Sequence, residues 1–107
     1  ALQLAGRLHE FEVELSPGTF LGQRVLPLNS AGCYIPGGRF SHVSSSIMSV
    51  ATAKVAGVGH ITACSPPSRG SIPAPIIYAM HVCGVDTILA LGGVHRLVHH
   101  LERLPLL

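Results

Sequence analysis

Three short apolar segments recur along the chain, and each of them runs into a turn. They are 31–35, 61–64 and 87–91, and none of them contains a charged residue. The turns that follow are built from Pro36-Gly37-Gly38, Pro66-Pro67 and Gly92-Gly93. A brief apolar run that stops at proline or glycine is typical of a strand buried on both faces of a sheet. The pattern therefore predicts three buried strands, each with a tight turn at its carboxyl end.

Two helical patterns lie between the predicted strands. Residues 47–56 are apolar on nearly all sides, and a second helix starts near Pro73, because proline is tolerated in a first turn. One of the serines at 44–46 is a candidate N-cap for the first helix. Both helices stop at a glycine followed by valine, at Gly57 and at Gly84. This repeated joint predicts a β-α-β-α-β run with right-handed crossovers and a parallel sheet.

The two ends of the chain differ from this repeat. Residues 1–30 are predicted to form an arm, with helical apolar spacing at the start, strand-like alternation over 11–15 and an extended segment over 20–28. The turn at Ser16-Pro17-Gly18 separates the last two. At the other end, residues 94–104 show the spacing of an amphipathic surface helix. We therefore divide the chain into an arm over residues 1–30 and an α/β domain over residues 31–107.

Composition restricts the partners. The 107 residues are enough for one domain, but only 11% are charged and 48% are hydrophobic. Such a surface fits a piece that packs inside a larger protein, so we expect a homo-oligomer or a missing companion domain. The basic residues are spread far apart, which argues against nucleic acid. The longest uncharged run, 70–85, is too short and too interrupted by proline to span a membrane.

Cysteine usage indicates the compartment. Cys33, Cys64 and Cys83 lie on apolar segments without C-x-x-C spacing, which favours buried thiols in a reducing environment over disulfides or zinc. The N-terminus also lacks the pattern of a signal peptide. We therefore expect a cytoplasmic protein.

The candidate chemistry concentrates at the first glycine turn. A strand, a glycine turn and a helix in succession can present backbone N–H groups to an anion, and Tyr34 stands at the carboxyl end of this strand. This predicts a nucleotide or phosphate site, with a purely structural turn as the alternative. His95 and His99 could share a helix face, but no carboxylate joins them, and no Gly-x-Ser-x-Gly elbow supports a triad with Asp86. No catalytic or metal-binding residue is predicted.

The same stretch resembles a known signature. Gly32-Cys33-Tyr34-Ile35-Pro36-Gly37-Gly38 is similar to the Gly-x-Tyr-[Val/Ile]-Pro-Gly-Gly motif of the histidinol dehydrogenase family. The resemblance extends in order through 48–58, 63–67, 84–86 and 91–94, and covers roughly residues 10–94. The segments at 29–30, 48–50 and 90–94 look more like the branch that acts on sulfonated diols, the sulfopropanediol dehydrogenases, than the histidine-biosynthesis branch.

The resemblance implies a fold and a cofactor. It implies a Rossmann-like, three-layer α/β fold with a parallel sheet, present here in part, and an enzyme that uses NAD and zinc to oxidise an alcohol to a carboxylate in two hydride transfers. It places Tyr34 against the dinucleotide, with the two glycine turns beside it. The residues expected to bind the cofactor are Tyr34, Gly37, Gly38, Gly92, Gly93 and His95.

Two departures from the family pattern qualify this expectation. His95 stands where the family has a glutamine that contacts the cofactor, and the sequence after residue 94 diverges. The family's zinc ligands and its Glu-His acid/base pair lie downstream of the region of resemblance. We therefore expect this chain to be the NAD-binding part of such an enzyme, to bind NAD weakly and to be inactive alone. The alternatives are a non-catalytic interaction module and an inert truncated remnant.

Overall fold

The computed structural model describes residues 9–38 and 40–103, in which strands and helices alternate after an initial hairpin. In chain order these elements are β1 (Phe11–Ser16), β2 (Thr19–Gln23), β3 (Ser30–Tyr34), α1 (Val43–Val55), β4 (His60–Cys64), α2 (Ala74–Val82), β5 (Thr87–Leu89) and α3 (Val94–Leu101). The helical spacing expected at the start of the chain, in residues 1–8, lies outside the described residues. None of the described helices is long and apolar enough to cross a membrane.

The three predicted strands form one parallel sheet in the order β3-β4-β5. Cys33 lies opposite Ala63, and Ala63 lies opposite Ile88, so the middle strand is β4. Each crossover passes through a helix, as a parallel connection requires. The predicted parallel sheet is therefore confirmed, although β5 ends at Leu89, two residues earlier than expected.

The sheet is covered on both faces. Side chains alternate along a strand, and one face of β3 and β4 supplies buried residues to a core shared with α1 and α2. That core contains Cys33, Ile35, Val50, Ile61, Ala63, Ile72, Ile76 and Met80. On the other face, a Cβ added to Gly32 would lie 2.6 Å from Leu101 Cδ1 and 2.9 Å from Leu97 Cδ2, so α3 packs directly on the backbone of β3. The three-layer α/β arrangement is confirmed.

The two helix–strand connections that repeat in the sequence also have the same backbone conformation in the structure. Gly57 and Gly84 have φ angles of +81° and +87°, a region that glycine adopts without strain. After α1, the Gly57 N–H donates to the Lys54 carbonyl and the Val58 N–H to the Ala53 carbonyl. After α2, the Gly84 N–H donates to the His81 carbonyl and the Val85 N–H to the Met80 carbonyl. Both helices therefore end in a Schellman motif, which turns the chain toward the next strand.

The start of α1 differs from the prediction. The helix begins at Val43, its N-cap is His42, and no side chain caps it. Ser44–Ser46 thus lie inside the helix, and the prediction that one of them is the N-cap was wrong. The hydroxyls bond backward instead: Ser46 Oγ donates to the His42 carbonyl at 3.4 Å, and Ser49 Oγ donates to the Ser45 carbonyl at 2.8 Å. A serine within a helix can satisfy its hydroxyl in this way, so sequence alone does not place it at the cap.

The hairpin β1–β2 is a separate antiparallel sheet. Val13 lies opposite Leu21 and Phe11 opposite Gln23, so these residues share one face, and every residue of both strands is exposed. The strand predicted for residues 11–15 from their alternating side chains is confirmed. The extended segment is a strand only over Thr19–Gln23.

Asp86 fastens the start of β4 to the chain entering β5. Its Oδ2 accepts a hydrogen bond from the Ile61 N–H at 2.8 Å, and its own N–H donates to the Ile61 carbonyl at 2.9 Å. Since Ile61 is fully buried, an unpaired N–H there is costly. We expect Asp86→Ala to lower the free energy of unfolding in urea by about 1.5 kcal/mol. Asp86→Asn keeps an acceptor oxygen in place and is the control; an equal loss in both variants would contradict this explanation.

Candidate functional site

The three parallel strands end at a common level, and the candidate site lies at this carboxyl edge. Tyr34 is the last residue of β3 and lies opposite Cys64, the last residue of β4, which in turn lies opposite Leu89 at the end of β5. The Tyr34 side chain is half-buried. The carboxyl edge is where open α/β sheets bind their ligands.

Two glycine turns meet at one proline beyond this edge. A Cβ added to Gly37 would lie 2.3 Å from Pro66 Cγ, and one added to Gly92 would lie 3.4 Å from Pro66 Cβ. Pro66 follows the middle strand, so the turns after β3 and β5 converge on it from both sides. The structure thus brings together Gly37 and Gly92, which are 55 positions apart in the sequence.

The second glycine of each turn has a backbone that favours glycine. Gly38 has a φ of +145° and Gly93 a φ of +93°. A Cβ on Gly38 would meet no other residue within 4 Å, so this backbone faces open space. Gly93 is the N-cap of α3. Exposed backbone without a side chain, next to the unpaired N–H groups of a helix's first turn, suits the approach of an anion.

His95 lies beside the second turn. It is the second residue of α3, and its side chain is exposed. Its ring Cε1 is 2.8 Å from the position that a Cβ on Gly93 would occupy, so the imidazole folds back over the glycine. All six residues expected to bind the cofactor therefore lie at the carboxyl edge, in the end of β3, the two glycine turns and the first turn of α3.

A buried hydroxyl at this edge was missed by the sequence analysis. Ser65 lies between the end of β4 and Pro66, is fully buried, and its Oγ has no hydrogen-bond partner among the described residues. Its backbone N–H donates to the Leu89 carbonyl at 3.2 Å, which fixes its position beside β5. The only sequence signal is its place as the first polar residue after an apolar strand. An unsatisfied buried hydroxyl is costly, and a polar ligand at this edge is one way to satisfy it.

The cysteines of the sheet are not activated. Burial raises the pKa of the Cys33 thiol above its ordinary value, and burial together with the proximity of Cys33 raises that of Cys64. A raised pKa keeps the thiol protonated, and a protonated thiol is a poor nucleophile. Both side chains therefore act as small apolar groups, as the sequence predicts.

The other candidate side chains are scattered. Asp86 lies at the opposite, amino edge of the sheet, and the nearest partner of His60 is the Thr87 hydroxyl at 3.3 Å. His99 Nδ1 lies 3.7 Å from a carboxylate oxygen of Glu102, on the exposed side of α3. Within residues 9–38 and 40–103, no group of three or more His, Cys, Asp or Glu side chains is placed to hold a metal ion.

Comparison with known proteins points to one family. The sequence profile of histidinol dehydrogenase matches residues 3–98. A sulfopropanediol 3-dehydrogenase from Ruegeria pomeroyi is 58% identical over 88 residues, which are 81% of this chain and 20% of that protein. A histidinol dehydrogenase from Halalkalibacterium halodurans is 47% identical over 83 residues, or 77% of this chain and 20% of that protein.

A solved structure agrees with the sequence comparison. The crystal structure of histidinol dehydrogenase from Elizabethkingia anophelis superimposes with a TM-score of 0.60 at 31% identity, over 82% of this chain and 21% of that one. The chain thus spans about a fifth of the length of each of these relatives.

Proposed function

Because the chain belongs to the histidinol dehydrogenase family, we propose that it forms the part of an NAD- and zinc-dependent alcohol dehydrogenase that holds the dinucleotide. In this proposal the alcohol is oxidised to a carboxylate, and the chain has no dehydrogenase activity alone. The observation that carries the proposal is the convergence of two glycine turns on Pro66 at the carboxyl edge of a parallel sheet. The similarity to a sulfopropanediol 3-dehydrogenase favours a small sulfonated diol as the alcohol.

The residues at this edge fit a dinucleotide. When bound, NAD would accept the hydride that leaves the alcohol carbon. The open backbone at Gly38 and the first turn of α3 behind Gly93 offer N–H groups to the phosphates, and the buried Ser65 hydroxyl offers a further polar contact. The half-buried Tyr34 offers a flat surface for a ring, and aromatic rings favour stacked or edge contacts with one another.

The described residues do not fit zinc. A zinc site needs three or four side-chain ligands from Cys, His, Asp or Glu. The described part of the chain brings no such group together. We therefore propose that the longer relatives supply the zinc ligands from the remaining four-fifths of their length.

A titration with NAD tests the proposed site. Residue 95 lies in the first turn of α3, where a side chain that both donates and accepts hydrogen bonds can contact a bound ligand. Glutamine and neutral histidine each offer a donor and an acceptor, and glutamine carries them on a longer stem. We expect His95→Gln to strengthen NAD binding by about 1 kcal/mol, the net worth of one hydrogen bond. Tyr34→Ala should remove most of the binding. Isothermal titration calorimetry of the three proteins measures both effects.

His99→Gln is the matched control, because His99 lies on the same helix but beyond its first turn. It should leave the affinity unchanged. If neither His95→Gln nor Tyr34→Ala alters NAD binding, the carboxyl edge does not hold the dinucleotide, and the proposed function fails.

A second candidate function is a non-catalytic interaction module. The observation that favours it is the β1–β2 hairpin, in which the large apolar side chains of Phe11, Val13 and Leu21 are all at least half exposed. Apolar surface of this kind marks a contact with another protein surface. Sedimentation of the chain alone and of its Val13→Lys variant distinguishes the two candidate functions. If the chain is an interaction module that depends on the hairpin, the variant loses its self-association, and neither protein binds NAD.

A further inference from the structure

A second feature of the carboxyl edge is a cleft beyond the glycine turns. It has a volume of about 490 Å³ and lies between two loops. One loop contributes Gly38, Phe40 and Ser41, and the other contributes Ser68, Arg69 and Ser71. A cleft of this size is in the range that holds a small organic ligand.

The second loop is a tight hairpin with arginine at its tip. The Ser68 N–H donates to the Ser71 carbonyl at 2.8 Å, and the Ser71 N–H donates to the Ser68 carbonyl at 3.3 Å. Arg69 and Gly70, the two residues between them, have φ angles of +52° and +91°. This is the pattern of a type I′ turn, whose first central position normally favours Asn, Asp or Gly. Arg69 is the one residue other than glycine with a positive φ in the described part of the chain.

The cleft carries positive charge. Among the described residues that line it, Arg69 is the only charged one, and the rest of the polar lining consists of serine hydroxyls. Within the described residues Arg69 forms no ion pair with a carboxylate. A guanidinium group that pairs with no carboxylate of the described residues, next to hydroxyl donors, is chemically matched to a phosphate group, which it can bind through two parallel hydrogen bonds.

The same cleft has an aromatic wall. Phe40 lines it and is 76% exposed, so its ring is open to contact. An exposed aromatic face next to a cationic group is the combination that binds a nucleotide, with the base stacked on the ring and the phosphate on the cation. Gly38 belongs both to this cleft and to the glycine turn beside Pro66, so the cleft continues the candidate site.

We propose that this cleft binds the phosphates of a nucleoside diphosphate, with Arg69 as the phosphate ligand and Phe40 as the stacking surface for the base. The proposal rests on the proposed function in so far as the nucleoside diphosphate is the adenosine half of the dinucleotide. It adds a residue, Arg69, that neither the glycine turns nor the family signature contains.

The test is a titration of the 107-residue chain with ADP, adenosine and inorganic phosphate. We expect Arg69→Gln to weaken ADP binding at least tenfold, which is the effect of losing a hydrogen bond to a charged group. Phe40→Ala should weaken ADP and adenosine but not phosphate. Arg96→Gln, on the exposed side of α3, removes the same charge away from the cleft and should leave ADP binding unchanged. Thermal unfolding of each variant checks that Arg69→Gln has not altered the fold.

The outcomes separate this proposal from the proposed function. If Tyr34→Ala weakens NAD binding but Arg69→Gln leaves ADP binding unchanged, the proposed dinucleotide site is supported and the Arg69 subsite is refuted. If Arg69→Gln weakens ADP binding while Tyr34→Ala leaves NAD binding unchanged, the Arg69 subsite is supported and the proposed function is refuted. If inorganic phosphate binds as tightly as ADP with the same dependence on Arg69, the cleft is an anion site and not a nucleotide site.

Discussion

Replacing Met80 with alanine is expected to lower the free energy of unfolding by about 2–5 kcal/mol, the usual cost of truncating a fully buried large side chain. Met80 is completely buried on α2, in the core shared by α1, α2 and the sheet. The truncation removes apolar contacts and leaves a cavity in this core, where Ile61 of the central strand β4 is also fully buried. Urea denaturation followed by circular dichroism measures the change.

Met48→Ala is the matched control, because it removes the same atoms from a helix position that is 71% exposed. It should change the free energy of unfolding by no more than about 0.5 kcal/mol. A domain of this size is only marginally stable, so Met80→Ala can be unfolded even without urea. Equal effects of the two substitutions would mean that the core described here does not hold the chain together.

The parts of the fold that the sequence predicts are those with a local cause. Three apolar runs that end at proline or glycine identify the strands, because a buried strand needs no polar face and cannot continue through these residues. The two glycine–valine joints identify the helix ends, because the φ required there is positive. The helix between each successive pair of strands then predicts that the strands run parallel.

The features that the sequence does not predict depend on packing between distant segments. Ser46 is fully buried within α1 and not at its cap, because the helix begins at Val43, four residues before the apolar stretch 47–56. The glycine turns are visible as motifs, but their meeting at Pro66 depends on the sheet that places β4 in the middle. The unsatisfied hydroxyl of Ser65 and the strained backbone of Arg69 have no local signature, since most serines and arginines in loops are solvated.

A second large loss of stability is expected where the glycine turn after β3 meets Pro66. Gly37→Ala would place a Cβ 2.3 Å from Pro66 Cγ, closer than any real contact allows. A proline ring cannot rotate away as a flexible side chain can, and Pro66 follows the fully buried Ser65. We therefore expect the free energy of unfolding to fall by about 3 kcal/mol, the upper end of the usual cost of overpacking. Any relief must move the Gly37-Gly38 turn, so NAD affinity should fall as well.

Gly92→Ala provides the control on the same proline. Its Cβ would lie 3.4 Å from Pro66 Cβ, which is ordinary van der Waals contact, and its φ lies outside the positive range that disfavours alanine. The free energy of unfolding should therefore change by at most about 0.5 kcal/mol. Urea denaturation measures the stability of both variants, and calorimetric titration measures their affinity for NAD. If Gly37→Ala is as stable as Gly92→Ala, the turn after β3 does not lie against Pro66. If Gly37→Ala is destabilised but binds NAD as tightly as the unmodified chain, the turn is structural and takes no part in holding the dinucleotide.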